Sequence, residues 1–158
     1  MKNYVSILGL TVIGALSLPQ SAEASLISLN PRHFPGTECM KKAGTMGITP
    51  HAEIYNAATA SNLSVVCPVL KEIPTGGMSG TITYIDQSPN TLWCIAGCDD
   101  GTTFQSTTVA STENDAEIHT MSTGVSAPGS DVSFCHFRCT IPPKNSGKAS
   151  YLIGYSGK

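Results

Sequence analysis

The sequence predicts an all-β protein. The expected architecture is an antiparallel β-sandwich of about seven or eight strands, disulfide-stapled, with a small closed β-barrel as the alternative. Three observations predict it. Short β-prone runs recur between turn signals spaced about 8–12 residues apart. No amphipathic stretch reaches helix length. Two runs, Leu92-Trp93-Cys94-Ile95-Ala96-Gly97-Cys98 and Phe134-Cys135-His136-Phe137-Arg138-Cys139, each hold two cysteines four positions apart.

The chain opens with Lys2 near the start, an apolar or small run over 5–18, and then Ala22-Glu23-Ala24. A basic start, an apolar centre and a small-x-small site describe a secretory signal peptide over 1–24, cleaved after Ala24. The apolar run is too short for a membrane span, so none is expected in the mature chain. The expected location is secreted or periplasmic. Removing Lys2 and Glu23 leaves 8 basic and 10 acidic residues, with no basic run. Nucleic acid and anionic membranes are therefore not expected partners.

Residues 25–47 carry Pro31, Pro35, Gly36, Gly44 and Gly47 with little periodicity. They read as an extended arm tied down by Cys39, with one helical turn at Met40-Lys41-Lys42-Ala43 at most. The sandwich domain is expected over 48–158. Residues 52–56 form a short strand and 57–62 a turn. In 63–70, Leu63, Val65, Cys67 and Val69 share one face and Val66 and Leu70 the other, which suits a central strand. Pro68 marks a bulge there, or the place where the strand meets a sheet edge.

Pro74-Thr75-Gly76-Gly77 is a turn. In 80–86, Ile82 and Tyr84 take one face, and Thr81, Thr83 and Ile85 the other. The Trp93 strand ends at Asp99-Asp100-Gly101, a strong turn signal. Residues 102–111 are Thr-rich and β-prone. Strands at 117–122 and 132–141 flank a loop over 124–130. Pro142-Pro143 breaks the second of these, and 149–155 closes the domain.

All six cysteines lie after the signal segment, an even count that implies disulfides in an exported chain. Six allow 15 pairings. Period-two alternation narrows them: Cys94 and Cys98 share a face, and so do Cys135 and Cys139. Antiparallel neighbours give Cys94–Cys139 and Cys98–Cys135; parallel neighbours give Cys94–Cys135 and Cys98–Cys139. Antiparallel pairs are the commoner, which leaves Cys39 with Cys67. The Cys-x3-Cys spacing also fits zinc, but an oxidising compartment favours bridges, so no metal or cofactor is expected.

Among other constellations, Asp99 and Asp100 with Asp86 or Glu113 offer oxygen ligands to calcium, though too few for that ion. A turn explains Asp99-Asp100-Gly101 more simply. His33, His51, His119 and His136 show no metal-binding spacing, and His136 reads as a solvent-facing strand residue. No catalytic motif appears, and nothing nominates two acids from Glu53, Glu72, Asp86, Asp99, Asp100, Glu113, Asp115, Glu117 and Asp131 as a glycosidase pair. Trp93, Tyr55, Tyr84, Tyr151 and Tyr155 are the aromatics available to a sugar ring, with Tyr84 and Trp93 read as core. Asn62-Leu63-Ser64 fits a glycosylation sequon but runs into the most apolar strand.

Val66-Cys67-Pro68-Val69, Cys94, Cys139-Thr140-Ile141-Pro142-Pro143 and Ser150-Tyr151-Leu152-Ile153-Gly154-Tyr155 together resemble a group of uncharacterised secreted bacterial proteins. These share a Cys-Pro strand and a terminal Cys-x-Leu/Ile-Pro motif followed by a Tyr-containing strand. The resemblance covers 48–158, implies the fold, and carries no assigned activity. The chain departs from that pattern with Leu70-Lys71 in place of the usual Arg, and it adds Cys98 and Cys135. A bond between the two added cysteines accounts for both.

Low charge and the lack of a reactive constellation point to a non-catalytic exported domain. Its expected role is binding or structural at the cell exterior, with a glycan or cell-surface component as partner. The alternatives are a polysaccharide-acting hydrolase, and a small secreted inhibitor presenting 124–130.

Overall fold

The computed structural model describes residues 32–69, 77–126 and 134–158. The expected signal peptide, the turn over 74–76 and most of the 124–130 loop lie outside them. In chain order the strands are β1 (Arg32–Pro35), β2 (Met40–Ala43), β3 (Met46–Ile48), β4 (Ile54–Asn56), β5 (Leu63–Val69), β6 (Met78–Ile85), β7 (Trp93–Asp99), β8 (Phe104–Ala110), β9 (His119–Val125), β10 (Phe134–Ile141) and β11 (Tyr151–Gly157). The seven from β5 onward have seven or eight residues each; the first four have three or four. Among the described residues the only helical turn is a 3-10 turn at Gly36–Glu38.

Two antiparallel sheets pack face to face, so the fold is a sandwich rather than a closed barrel. One sheet runs β3-β4-β11-β6-β9, with β1 also on β11; the other runs β2-β5-β10-β7-β8. Period-two alternation builds the core between them. Leu63, Val65, Cys67 and Val69 of β5 point in, as do Cys94, Ala96 and Cys98 of β7 and Cys135, Phe137, Cys139 and Ile141 of β10. The facing sheet contributes Ile54, Met78, Ile82, Tyr84, Met121, Leu152 and Tyr155. Phe137 sits edge-on to Tyr155 at 6.1 Å between ring centroids. Its ring lies so close over Gly80 that a Cβ there would come within 2.7 Å of it.

Three disulfides lie in this interior: Cys39–Cys67, Cys94–Cys139 and Cys98–Cys135. The last two join residues directly opposite each other on antiparallel β7 and β10. The first continues the β2–β5 register by one step, since Met40 stands opposite Val66.

Several expectations change. Residues 32–47, the described part of the expected arm, do not lie outside the sheets. They supply β1 to one sheet edge, β2 to the other sheet, and most of β3 beside β4. Met40–Ala43 is strand, not a helical turn, because the adjacent bridge lays it along β5. Trp93 is half-buried on the outer face, not in the core. Its neighbour Cys94 points inward, and alternation turns Trp93 the other way. Pro68 keeps its place in β5 because the β2 pairing has ended at Val66, so no partner there lacks a donor. The Pro68 carbonyl instead accepts a hydrogen bond from Tyr155 at 2.9 Å, tying the two sheets together.

Non-reducing peptide mapping is expected to return these three bridges. Cys94–Cys139 and Cys98–Cys135 staple one strand pair, so the second closes only a small further loop. Replacing Cys98 and Cys135 together by serine should cost about 1–2 kcal/mol, below the 2–4 of an isolated bridge, and leave a folded domain. Urea denaturation of both proteins measures it.

Candidate functional site

The outer face of the β11 sheet carries an open groove of ≈ 530 Å³. The residues on its floor follow from register. Pro35, Gly154, Thr83 and Thr120 stand side by side across β1, β11, β6 and β9. The next row is His33, Ser156, Thr81 and Ser122. A register shift between Leu152 and Gly154 turns the half-buried Ile153 into the groove wall. The lining is hydroxyl-rich and small, with His33 as its one ionisable side chain besides the buried Tyr155, and no Asp or Glu among the described residues.

Beyond Ile153 the same face continues into aromatic surface. Tyr55 and Tyr151 are opposite each other on β4 and β11, half-buried, with ring centroids 5.6 Å apart. They point outward because their neighbours Ile54 and Leu152 are fully buried. The Lys144 ammonium lies 4.7 Å from the centre of the Tyr55 ring, a cation–π contact. Of the other aromatics offered for sugar stacking, Tyr84 and Tyr155 are buried and Trp93 lies on the opposite sheet.

The acids do not gather where calcium would need them. Asp99 and Asp100 sit at the β7–β8 turn and cap it. The Asp99 carboxylate accepts from the Gly101 amide at 2.8 Å, and Asp100 from the amides of Thr102 and Thr103. Gly101 has a φ of 86°, which favours glycine. Asp86 lies at the other end of β7 and is 1% exposed. No cluster of three or more His, Cys, Asp or Glu occurs among the described residues.

Asp86 instead binds the sandwich end together. Its Oδ1 accepts from the Ser88 amide at 3.2 Å and the Ser150 hydroxyl at 2.6 Å. Its Oδ2 accepts from the Leu92 amide at 2.9 Å and from the Ser111 hydroxyl. Beside it, the Tyr84 hydroxyl donates to one oxygen of Glu113 at 2.8 Å, and the Thr112 hydroxyl donates to the other at 2.6 Å. The Thr112 hydroxyl and then Tyr84 hold Glu113 down at about 2. Burial, and then the bond to Glu113, pushes Tyr84 up to about 12. Sequence reading left His119 without a partner, yet Asp115 contacts it at 2.7 Å. The four-residue spacing was the available signal. That hydrogen bond raises the His119 pKa and lowers that of Asp115.

Four groove residues, Thr81, Thr83, Thr120 and Ser156, carried no functional reading in the sequence. Alternation alone turns Thr81 and Thr83 outward. Bringing Thr120 and Ser156 beside them needs the strand order. His136 is on the outer face, as alternation required, but half-buried against Phe104 at 6.2 Å between ring centroids. Burial, then Arg138, lowers its pKa. Asn62 is exposed just before β5.

No known family's sequence model and no curated protein matches this chain. Solved structures do. The C-terminal CBM6 of LamC, a laminarinase of Zobellia galactanivorans, superposes with a TM-score of 0.56 at 9% identity, over 82% of this chain and 99% of that one. An exo-beta-1,3-galactanase of Phanerochaete chrysosporium, solved with galactose, matches with a TM-score of 0.52 at 5% identity. There the match covers 82% of this chain but only 29% of the galactanase. At such identities the likeness is one of fold, that of a carbohydrate-binding-module-like β-sandwich.

Two measurements check the geometry at the sandwich end. Asp86→Ala removes the acceptor of four buried donors, of which only the Leu92 amide keeps another partner, the Ser111 hydroxyl at 3.1 Å, and should cost about 3 kcal/mol or more in thermal or chemical unfolding. His119 should titrate above the usual imidazole range by NMR, and Asp115→Asn should return it there. The raised His119 pKa contributes stability fully present below the ordinary imidazole value and lost as pH rises through the folded one. The lowered Asp115 pKa contributes stability present above the ordinary carboxylate value and lost as pH falls through the folded one. The pair is therefore at full strength between about pH 4 and 6.5.

Proposed function

We propose that this chain is an exported, non-catalytic glycan-binding sandwich of the secreted bacterial group it resembles, and that the glycan lies along the groove on the outer face of the β11 sheet. The observation that carries this reading is the character of the groove. Sugar rings need neutral hydrogen-bonding groups and an apolar surface to lie against. Thr81, Thr83 and Thr120 supply the hydroxyls. Ile153 supplies apolar wall, and the Tyr55–Tyr151 pair extends it. The likeness of the fold to a carbohydrate-binding module supports the same reading.

Hydrolysis of a glycosidic bond needs two carboxyl groups flanking it. The described lining offers none, so the groove favours binding over cleavage. An export signal at 1–24 and a chain closed by disulfides suit a role outside the cytoplasm. Among the described residues no helix is long and apolar enough to cross a membrane.

Affinity electrophoresis through gels cast with soluble polysaccharides tests the reading. At least one neutral glucan, galactan or xylan is expected to retard the protein. Thr83→Ala with Thr120→Ala should weaken that binding about tenfold, the worth of one to two hydrogen bonds. Tyr151→Ala should weaken it as well, by removing apolar surface beside the sugar. No retardation on any polysaccharide would leave a structural role in its place.

A further inference from the structure

Strand β8 is the most exposed of the seven long strands. Phe104 to Thr108 are exposed whichever face they point to, as is Ala110; only Val109 is half-buried. It is an outermost strand of its sheet, and among the described residues nothing pairs with its far side. Soluble proteins usually guard such an edge with charge, proline, a bulge or brevity. The opposite edge, β2, has Lys41, Lys42 and a register shift. In the other sheet the β3 edge has three residues, and the seven-residue β9 edge carries an ionisable side chain, His119, and a glycine, Gly124. β8 reads Phe-Gln-Ser-Thr-Thr-Val-Ala, without charge, proline or glycine, and pairs with β7 over seven residues without a shift.

The hydrogen-bonding parity of this edge is fixed by the disulfides. Cys94 and Cys98 lie 4.0 and 4.2 Å, Cα to Cα, from their partners on β10, the close approach of pairs that share no ladder hydrogen bond. They therefore turn their amides and carbonyls toward Val109 and Gln105 of β8. By alternation, those of Ser106 and Thr108 face the open edge.

We propose that a second copy of the chain pairs here, β8 against β8, antiparallel about a two-fold axis at Thr107. The two five-stranded sheets then become one. Ser106 of one copy stands opposite Thr108 of the other, and both have edge-facing backbone groups, so this is a hydrogen-bonded pair. Thr107 meets Thr107 in a close pair without ladder bonds. Phe104, 51% exposed, falls opposite the small Ala110. A copy of itself fits this strand better than a charged partner does. Seven uncharged residues offer such a partner nothing to pair with, and they place no like charges across the axis. The surface is separate from the groove, which lies on the other sheet, so neither reading rests on the other.

Sedimentation of the secreted protein over a concentration series tests this. The mass should move from one chain toward two as concentration rises. Thr107→Lys sets two ammonium groups opposite each other and should weaken self-association about tenfold or more. Thr108→Pro should act in the same direction. It removes an amide that faces the open edge and leaves the ladder to β7 intact, so it tests the proposal even if Thr107→Lys unfolds. A protein that stays monomeric throughout, or a dimer that neither substitution weakens, overturns the proposal.

Discussion

The register between β7 and β10 is the constraint on which the molecule rests. In a sheet a slip of one residue sends every side chain to the other face. Two cystines between directly opposed residues forbid that slip. Once it is forbidden, Phe137 must point inward, where it meets Gly80 and Tyr155 of the facing sheet. β5 then lies on the other side of β10 with Leu63, Val65, Cys67 and Val69 buried. Covalent chemistry in one sheet thus decides which residues the other sheet has to cover.

A second joint works by hydrogen bonding alone. A buried carboxylate without a cation is costly unless its oxygens are occupied. Asp86 meets four donors, drawn from the β6–β7 connection, the end of β8 and the start of β11. These segments belong to both sheets, so a group that an apolar core ordinarily excludes closes one end of it. The Glu113–Tyr84 and Asp115–His119 contacts extend the same closure along the 111–118 connection between β8 and β9.

The fold class was legible because its signals are local. Alternation in 63–69 and 80–85 names the buried face residue by residue. The short strands β1, β2 and β3 were not legible. They are three or four residues long, and neighbours distant in sequence hold them in place. Trp93 was legible and misread, because the burial habit of tryptophan was weighed above the parity set by Cys94. At the site, Thr81 and Thr83 could be turned outward from sequence. The groove itself could not be drawn, since it exists only where β1, β11, β6 and β9 stand side by side. The structural role of Asp86 was not legible, because its donors lie up to 64 residues away.

The pairing of β1 with β11 has a mechanical consequence. Arg32 stands opposite Gly157, so the two ends of the described chain leave the sandwich together. A load drawn between them peels β1 from β11 one pair at a time, the weak direction for a ladder. The peel runs only a few residues before it reaches Cys39, whose bond to Cys67 passes the force to β5 in the other sheet. From the opposite end, β11 is held on both sides, by β6 and by β4 with β1. The domain yields a little slack under tension and then stops at a covalent catch.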